Sequence, residues 1–342
     1  MIEAAQEILA GEEAFVVGGA VRDELLGKPV VDVDIACRDP ARAARAYGKR
    51  QGGAPFPLSE RHGAWRVALE DGRTIDFTPL RGSIEEDLAT RDFTINAVAR
   101  PLAAAELVDP FEGRADLEAQ VIRAVSEHVF DDDPLRLLRA VRLEDELGFR
   151  IEPRTEGLIR DHARLVTSPA GERILGELCR LSTAGYGRLA DLGLLHPLGG
   201  SLERADRADA VESARYRLVV FLGEAVGTLP ISKELRRFAL ALLRSSPPED
   251  ASPRAVHRFR RGTEPWAIEA LAFHGRNDLA AAVREARSRD HAEPLVRGDE
   301  LGLPPGPEIG RLLELIEEER AVGTITTREE ALDYVRRHAG SR

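Results

Sequence analysis

The stretch Val16-Val17-Gly18-Gly19-Ala20-Val21-Arg22-Asp23, followed by Val31-Asp32-Val33-Asp34-Ile35, decides how the rest of the chain is interpreted. An apolar run leads into two glycines, a short helix follows, and a second apolar run carries two carboxylates. Glycines let backbone N–H groups approach a phosphate closely, and the start of a helix adds a favourable dipole. We interpret the stretch as a phosphate-binding turn beside a pair of metal ligands.

Asp32 and Asp34 are the candidate metal ligands. Residues two apart on a strand point to the same face of a sheet. Mg²⁺ prefers oxygen ligands and is often held by one or two carboxylates together with substrate phosphates. Metals held in this way stabilise the attacking and leaving oxygens of phosphoryl transfer. Alone, Asp-x-Asp is also typical of a solvated strand edge, so the Gly-Gly turn before it is needed to favour the metal site.

Asp76 is a third acidic residue of interest because it lies inside the apolar run Thr74-Ile75-Asp76-Phe77. An acid there is costly to bury without a partner. It is either a strand-end aspartate that faces water or a third carboxylate that completes the metal site. It could also act as the base towards an incoming hydroxyl group.

The pattern of elements predicts a mixed α and β region followed by a helical region. The predicted elements of the first region are the strand Phe15–Val17, the helix Ala20–Leu26, the strand Val30–Ile35, the helix Pro40–Gln51 and a hairpin of Trp65–Leu69 with Arg73–Phe77. The Asp71-Gly72 pair is a strong signal for the turn of that hairpin. After about Leu117, helical periodicity dominates. We therefore predict an α+β fold, with a small mixed-sheet head at 1–115 and all-helical regions at 116–200 and 201–342.

The composition predicts no membrane-spanning helix and favours a cytoplasmic protein. The 342 residues are 43% hydrophobic, which supports folded cores. No run of about 18 apolar residues is present, and the first residues lack the basic and then apolar pattern of a secretory signal. Cys37 and Cys179 have no metal-ligand spacing, so we expect reduced thiols in a cytoplasm.

The net charge of −11 argues mildly against nucleic-acid binding if it is taken over the whole chain. Between Lys233 and Arg261, however, eight basic residues face only three acidic ones. This segment is either a solvated helical face or a surface that contacts phosphates. The candidate RNA contacts in it are Arg236, Arg237, Arg258 and Arg260.

Several ordered motifs together resemble the class II tRNA nucleotidyltransferase and bacterial poly(A) polymerase family of DNA polymerase β-like nucleotidyltransferases. The matching blocks are Gly18-Gly19-x-x-Arg22 with Asp32-x-Asp34, Arg91-Asp92-Phe93-Thr94-Ile95-Asn96-Ala97, Asp109-Pro110-Phe111-Glu112-Gly113-Arg114, Asp132-Asp133-Pro134-Leu135-Arg136 with Leu137-Leu138-Arg139, and Glu172-Arg173-Ile174-Leu175-Gly176-Glu177-Leu178. The resemblance implies a catalytic head followed by an elongated helical neck, body and tail that bind tRNA. It also implies a template-independent enzyme that uses Mg²⁺ and adds nucleotides from CTP or ATP to the tRNA 3′ end.

The resemblance also implies roles for individual residues. Asp32 and Asp34 would bind the catalytic magnesium ions, and Gly18, Gly19 and Arg22 would hold the triphosphate. Arg91 and Asp92 would contact the sugar and phosphates. Asp133 and Arg136 would select the incoming base, with Arg139 a further nucleotide-binding candidate.

Base selection by Asp133 and Arg136 is consistent with elementary hydrogen bonding. Three positions apart, they would share a helix face. Aspartate only accepts and arginine only donates hydrogen bonds. Cytosine and adenine offer an exocyclic amine beside a ring nitrogen acceptor, whereas uracil and guanine place a carbonyl where the amine would be. The pair therefore favours C and A, although a simple surface ion pair between the two residues is the alternative.

The connection before the Arg91 motif carries information on specificity. Full CCA-adding and A-adding members of the family have a flexible loop between the strand that bears Asp76 and the motif helix, and CC-adding members lack it. Here only seven residues, Phe77–Ser83, precede Ile84-Glu85-Glu86-Asp87-Leu88. We therefore expect a CC-adding enzyme. A full CCA-adding enzyme, a poly(A) polymerase and a non-catalytic RNA-binding relative are the alternatives, in that order.

Three positions depart from the family pattern. Asp132 stands where glutamate is usual, Thr90 stands where a second arginine is frequent, and Glu112 stands where glycine is common. We expect Asp132 to orient Arg136 differently and Glu112 to stiffen the hinge between head and neck. None of the three removes a candidate metal ligand.

Overall fold

The computed structural model describes residues 1–59, 63–291 and 293–339, and the chain divides into two compact units. The first unit comprises Met1–Leu198 and the second Gly199–Arg342. The predicted head-to-neck boundary at residue 115 lies inside the first unit. The assignment of a separate head and neck stays a prediction.

A six-stranded mixed sheet forms the first part of unit one. Its strands in chain order are β1 (Ala14–Val17), β2 (Asp32–Cys37), β3 (Ala54–Ser59), β4 (Ala64–Ala68), β5 (Thr74–Pro79) and β6 (Ala99–Pro101). Their order in the sheet is β3-β4-β5-β2-β1-β6. Strands β2 and β5 are parallel, and all other neighbours are antiparallel. The predicted hairpin is confirmed, because β4 and β5 pair across the Asp71-Gly72 turn.

Helices cover the sheet and make up most of the rest of the first unit. They are α1 (Ile2–Ile8), α2 (Gly19–Leu25), α3 (Pro40–Gln51), α4 (Ile84–Ala89), α5 (Gly113–Glu118), α6 (Val129–Asp132), α7 (Arg136–Leu147), α8 (Pro153–His162), α9 (Gly171–Leu178) and α10 (Thr183–Asp191). The prediction that residues 116–200 are all helical is wrong in one detail, because β7 (Val121–Ile122) and β8 (Arg150–Ile151) form a parallel pair. Strands of two residues are too short to give a detectable alternation of apolar and polar residues.

The second unit is helical in its described part. Its helices are α11 (Ala214–Leu222), α12 (Lys233–Leu243), α13 (Pro253–Thr263), α14 (Ala267–Phe273), α15 (Ala280–Ser288), α16 (Pro307–Val322) and α17 (Arg328–His338). Within the described ranges of both units, no helix has the length and apolar character needed to cross a membrane.

The alternation of side chains along β2 and β5 separates the core from the site. Val33 and Ile35 of β2 pack with Ile75 and Phe77 of β5 in a buried cluster that includes residues of α1 and α3. Alternate residues of a strand point to opposite faces. The carboxylates of these two strands therefore lie on the other face of the sheet, which places the candidate site there.

Candidate active site

The Gly18-Gly19 turn joins β1 to α2 at the edge of the site. Gly18 has φ of 69° and ψ of −137°, a backbone conformation that residues other than glycine rarely adopt. A Cβ atom at Gly18 would lie 3.0 Å from Arg91 Nη1 and 3.6 Å from Asp34 Oδ2. The glycine is thus required both by the turn and by the close approach of the backbone to two candidate site residues.

Arg22 lies behind this turn. Its Nη1 donates to Asn96 Oδ1 at 2.9 Å, and its Nε donates to Asp23 Oδ1 at 2.8 Å. The hydrogen bond to Asn96 ties α2 to the short helical turn Thr94–Asn96, whereas that to Asp23 lies within α2. Arg22 is not among the residues that line the cavity described below, so its role in triphosphate binding stays a prediction.

The candidate metal ligands and Asp76 lie at matched positions of β2 and β5. Asp32 pairs with Thr74 and Asp34 pairs with Asp76 in the parallel register. Asp32 Oδ1 accepts a hydrogen bond of 2.8 Å from Thr74 Oγ1. Asp34 is half-buried, and its pKa is raised by burial and by the charge of Asp76. The face is therefore rich in carboxylate oxygens.

Arg66 of β4 donates hydrogen bonds to both carboxylate oxygens of Asp76. Its Nε and Nη2 each donate at 2.7 Å, to Oδ1 and Oδ2 respectively. In the described part of the chain, no three His, Cys, Asp or Glu side chains are close enough to hold a metal ion together. Asp76 is paired with Arg66 in this structure, and its role as a third carboxylate of the metal site or as a base stays a prediction.

Asp32 and Asp34 nevertheless suit a divalent cation. Two carboxylates on one face supply hard oxygen ligands, and a substrate phosphate can supply the others. The raised pKa of Asp34 has burial as its largest cause and repulsion from Asp76 as the next. A cation bound here would offset both effects. The family resemblance noted in the sequence implies a divalent metal at this position.

Asp92 is the most enclosed carboxylate of the site, with 6% of its surface exposed. Burial alone would raise its pKa, but Arg139 and hydrogen bonds from Asn96 and the Phe93 N–H together hold the pKa below its ordinary value. Arg139 Nε lies 2.7 Å from Asp92 Oδ2. This is a close ion pair and not an aligned hydrogen bond, because no described residue accepts from the Arg139 Nε–H.

Asp133 and Arg136 do not share a helix, contrary to the sequence prediction. Asp133 follows the last residue of α6 with an extended backbone, and Arg136 is the first residue of α7. Pro134 lies between them, and the residue before a proline is disfavoured in a helix. Asp133 Oδ1 accepts from the Leu135 N–H at 3.2 Å. The simple ion pair between Asp133 and Arg136, which was the alternative interpretation, is also not formed.

The contacts of Arg136 bring two motifs together. Its Nη2 donates to the Thr90 carbonyl oxygen at 2.6 Å, and its Nη1 donates to the Val129 carbonyl oxygen at 3.3 Å. Thr90 directly precedes the Arg91 motif, so Arg136 links the start of α7 to that motif through the backbone of Thr90. Asp132 is exposed, and the structure gives it no contact with Arg136.

Arg173 of α9 is a site residue to which the sequence analysis gave no role. Its Nη2 donates to Asp133 Oδ2 at 2.7 Å and its Nη1 to Oδ1 at 3.2 Å. Helix α9 is held against α7 by an ion pair between Glu177 and the buried Arg142. The only available signal was the position of Arg173 in a matched motif, since its partner is 40 residues away.

These residues enclose a cavity of about 330 Å³. With the exceptions of Arg22, Asp32 and Asp76, every residue predicted for the catalytic and nucleotide sites lines it. The lining comprises Gly18, Gly19, Asp34, Thr78, Asp87, Thr90, Arg91, Asp92, Asn96, Asp133, Leu135, Arg136 and Arg139. Phosphate-binding, carboxylate and base-selecting candidates thus meet in one space.

Glu112 occupies a left-handed conformation, with φ of 57° and ψ of 32°. This explains why glycine suits the position, because a side chain there costs free energy. The next residue, Gly113, packs so closely that a Cβ atom would lie 2.1 Å from the Thr94 carbonyl oxygen. The segment before α5 is therefore held tightly against the motif that contains Asp92.

The predicted RNA surface of the second unit separates into two kinds of residue. Arg258 pairs with Glu318 of α16, and Arg260 pairs with Glu264 and Asp290. Arg236 and Arg237 on α12 are exposed, and the Arg237 guanidinium lies 5.9 Å from the centre of the Trp266 ring. The role of all four in RNA binding stays a prediction.

Comparison with known proteins shows which family the chain is similar to. Residues 14–123 match the family described as the poly A polymerase head domain, and residues 148–201 match the probable RNA and SrmB-binding site of polymerase A. The chain is 35% identical to a CC-adding tRNA nucleotidyltransferase of Geobacter sulfurreducens, over 95% of this chain and 92% of the relative. The chain belongs to the tRNA nucleotidyltransferase family. Members of this family are template-independent RNA nucleotidyltransferases.

The names of the relatives cover more than one specificity. An A-adding tRNA nucleotidyltransferase of Deinococcus radiodurans is 32% identical over 95% of both chains. The CCA-adding enzyme of Bacillus stearothermophilus, solved in complex with CTP, has the same fold with a TM-score of 0.75 and 25% identity, over 98% of this chain and 97% of that one. Family membership therefore does not by itself assign which nucleotides this tRNA nucleotidyltransferase adds.

Proposed function

We propose that the protein adds two cytidines from CTP to the 3′ end of tRNA and stops before the terminal adenosine. The observation that carries this proposal is the connection between β5 and α4, which consists of only four residues, 80–83. The Geobacter sulfurreducens relative, named as CC-adding, supports the same specificity.

Each end of the short connection is tied to its neighbours. The Leu80 N–H donates to the Cys37 carbonyl oxygen at 2.8 Å, which continues the pairing of β5 with β2. Ser83 caps α4 and exchanges hydrogen bonds with Glu86 in a capping box. A connection anchored in this way cannot act as a mobile loop. In the family that this chain resembles, such a loop accompanies the change from C addition to A addition.

The proposed reaction uses the arrangement of the first unit. The ribose 3′-hydroxyl of the RNA releases its proton to water, and its oxygen bonds to the α-phosphorus of CTP. The bond from that phosphorus to the leaving oxygen breaks to release pyrophosphate. Gly18 and Gly19 hold the triphosphate through backbone N–H groups. Mg²⁺ held by Asp32 and Asp34 would neutralise charge on the phosphates and activate the attacking hydroxyl group. Most of the rate then comes from positioning and charge neutralisation.

Cytosine selection is assigned to Asp133 and Arg136. Both line the cavity, so an acceptor and a donor can meet the cytosine amine and ring nitrogen together. Uracil would place a carbonyl group against the carboxylate of Asp133. The loss of the bidentate contact would weaken its binding by about 1–3 kcal/mol. Asp92 and Arg91, which line the same cavity, are placed to contact the sugar and phosphates.

The competing functions have weaker support. The A-adding relative of Deinococcus radiodurans keeps full CCA addition as the second candidate. Poly(A) synthesis is disfavoured by the short connection. A non-catalytic RNA-binding relative would not need Asp32 and Asp34, and both are present. A cytoplasmic location accompanies the proposal, since tRNA is matured there.

The test uses purified protein with a tRNA that lacks its three terminal nucleotides, and with CTP and ATP supplied together. Product analysis by gel electrophoresis should show tRNA extended by two cytidines and no adenosine. Efficient addition of a terminal adenosine would contradict CC addition. Absence of any extension would contradict the nucleotidyltransferase assignment to tRNA.

A further inference from the structure

Arg66, which belongs to none of the family motifs, ends a row of charged side chains across three strands. Arg66 of β4 lies opposite Asp76 of β5, and Asp76 lies beside Asp34 of β2. Residues directly opposite each other in neighbouring strands share a face. Their chain neighbours, such as Val67 and Ile75, belong to the buried core on the other face. Arg66 is therefore on the face of the sheet that bears the catalytic carboxylates.

The guanidinium group of Arg66 is fixed on one side and open on the other. Nε and Nη2 form two parallel hydrogen bonds to Asp76, and no described residue accepts from Nη1. The side chain retains 35% of its exposure, whereas that of Asp76 retains 12%. A bidentate pair orients an arginine without using all of its donors. Arg66 is thus a pre-oriented donor that faces solvent.

The order of the strands indicates what approaches this donor. The phosphate-binding turn follows β1, on one side of β2, whereas β5 and β4 lie in sequence on the other side. In phosphoryl transfer the attacking and leaving oxygens are roughly in line on opposite sides of the phosphorus. If pyrophosphate leaves towards the Gly18-Gly19 turn, the RNA 3′-hydroxyl must arrive from the side of β5 and β4.

On this basis, and resting on the proposed function, we infer that Arg66 binds the 3′-terminal phosphodiester of the RNA acceptor. Asp76 acts as its anchor, because the two hydrogen bonds to its carboxylate hold the Arg66 guanidinium in place. The pair positions the acceptor strand so that its terminal hydroxyl group lies over Asp32 and Asp34. Arg66 is a positioning residue, because it does not touch the atoms that react.

The test pairs a protein variant with a modified RNA. A synthetic minihelix that copies the acceptor and T arms of tRNA is made with a normal or a methylphosphonate 3′-terminal phosphodiester, which removes one charge. Its affinity is measured by fluorescence anisotropy with EDTA present, so that no metal contributes. Arg66→Ala and the methylphosphonate should each weaken binding by about tenfold, as expected for a hydrogen bond to a charged group.

The combination of both changes decides the inference. If Arg66 contacts that phosphate, Arg66→Ala with the methylphosphonate RNA should bind about as weakly as either single change, near tenfold. Independent losses that multiply to about a hundredfold would overturn it. Arg66→Lys should restore part of the affinity, since it keeps the charge but not the fork. In extension assays, Arg66→Ala should raise KM for the RNA and leave KM for CTP unchanged.

Arg73→Ala is the matched control. Arg73 lies in the same hairpin and pairs with Asp71, away from the row, so its loss removes the same charge without removing the proposed contact. It should bind both RNAs like the unmodified protein. If Arg66→Ala fails to fold, equal binding of the two RNAs by the unmodified protein would still overturn the inference. A protein that extends tRNA but is indifferent to Arg66 refutes this inference alone, whereas one that neither binds nor extends RNA refutes the proposed function as well.

Discussion

The cavity of the first unit and the surface of α13 in the second unit are both built from arginine–carboxylate pairs, but the pairs serve different ends. Around the cavity, Arg139 holds Asp92 and Arg173 holds Asp133, and both carboxylates line open space. On α13, Arg258 reaches Glu318 of α16. That glutamate is 5% exposed. We propose that the first arrangement orients acceptors for a ligand, whereas the second joins α13 to α16.

The comparison shows that a count of basic residues along the chain does not measure available positive charge. The segment Lys233–Arg261 is basic in sequence, yet on α13 much of its charge is matched by acidic residues of other helices, among them Glu318 and Asp290. In the first unit, by contrast, the arginines that line the cavity do not belong to a run of basic residues in the sequence. The distinction predicts that substitutions at the cavity change catalysis, whereas those at α13 change stability.

The largest effect is expected for Asp34→Asn. Loss of a metal-binding carboxylate should reduce nucleotide addition by about a thousandfold or more. Because burial and Asp76 raise the pKa of Asp34, ionisation of this carboxyl group costs the folded protein stability, so the uncharged variant should be no less stable. Single-turnover extension with CTP measures the first effect, and thermal unfolding in EDTA measures the second. Retained activity would remove the metal assignment, and the same assay should show Asp32→Ala to be inactive.

Arg139→Ala should come next. It leaves the buried carboxylate of Asp92 without its closest cation, a loss that costs 3–5 kcal/mol for a fully buried pair. Arg139 is partly exposed, so water replaces some of its effect and we expect about 2 kcal/mol. Denaturant unfolding measures this change. Arg139→Lys, which keeps the charge, should recover part of the stability. If Arg139→Ala has the same free energy of unfolding as the unmodified protein, the ion pair does not stabilise the fold.

Arg173→Ala should alter base choice more than stability. Without Arg173, only the Leu135 N–H orients the carboxylate of Asp133, and the acceptor for cytosine becomes less ordered. We expect the preference for CTP over UTP, measured as the ratio of kcat/KM values, to fall by about tenfold, part of the discrimination of one bidentate pair. Arg180→Ala on the loop after α9 is a suitable control, because Arg180 pairs with Glu146 instead. An unchanged ratio would mean that Arg173 only supports the helix.

The smallest effects separate the two kinds of arginine in the second unit. Arg236→Ala with Arg237→Ala should weaken tRNA binding and reduce its salt slope by about 1–2, with little change in melting temperature. Arg258→Ala with Arg260→Ala should lower the melting temperature and leave the salt slope nearly unchanged. Binding titrations at several salt concentrations test both. A salt slope that falls equally in the two double variants would restore the single four-arginine surface predicted from the sequence.

Local signals predicted four of the six strands of the sheet, and β3 and β6 were missed. The Asp71-Gly72 turn, the alternation in β2 and the glycine pair before α2 depend on residues near one another in the chain. The β7–β8 pair was missed because each strand has two residues. The helix face shared by Asp133 and Arg136 was wrong because Pro134 separates the helices, a feature that was visible in the sequence.

The partners of the site carboxylates were harder to predict. Arg173 and Asp133 are 40 residues apart, and Arg258 and Glu318 are 60 apart, so no local pattern joins them. Arg66 is the exception, since it and Asp76 are each five positions from Asp71 at the hairpin turn. A hairpin that is symmetric about that turn must place Arg66 and Asp76 opposite each other. This pairing could therefore have been predicted from the sequence.

The most direct test of the central claim is extension of three tRNA acceptors that end before the first cytidine, after the first and after the second. Single-turnover reactions with CTP and ATP together give the rate and the product for each. The account predicts two cytidines, one cytidine and no addition, respectively. Rapid addition of adenosine to the third acceptor would contradict it.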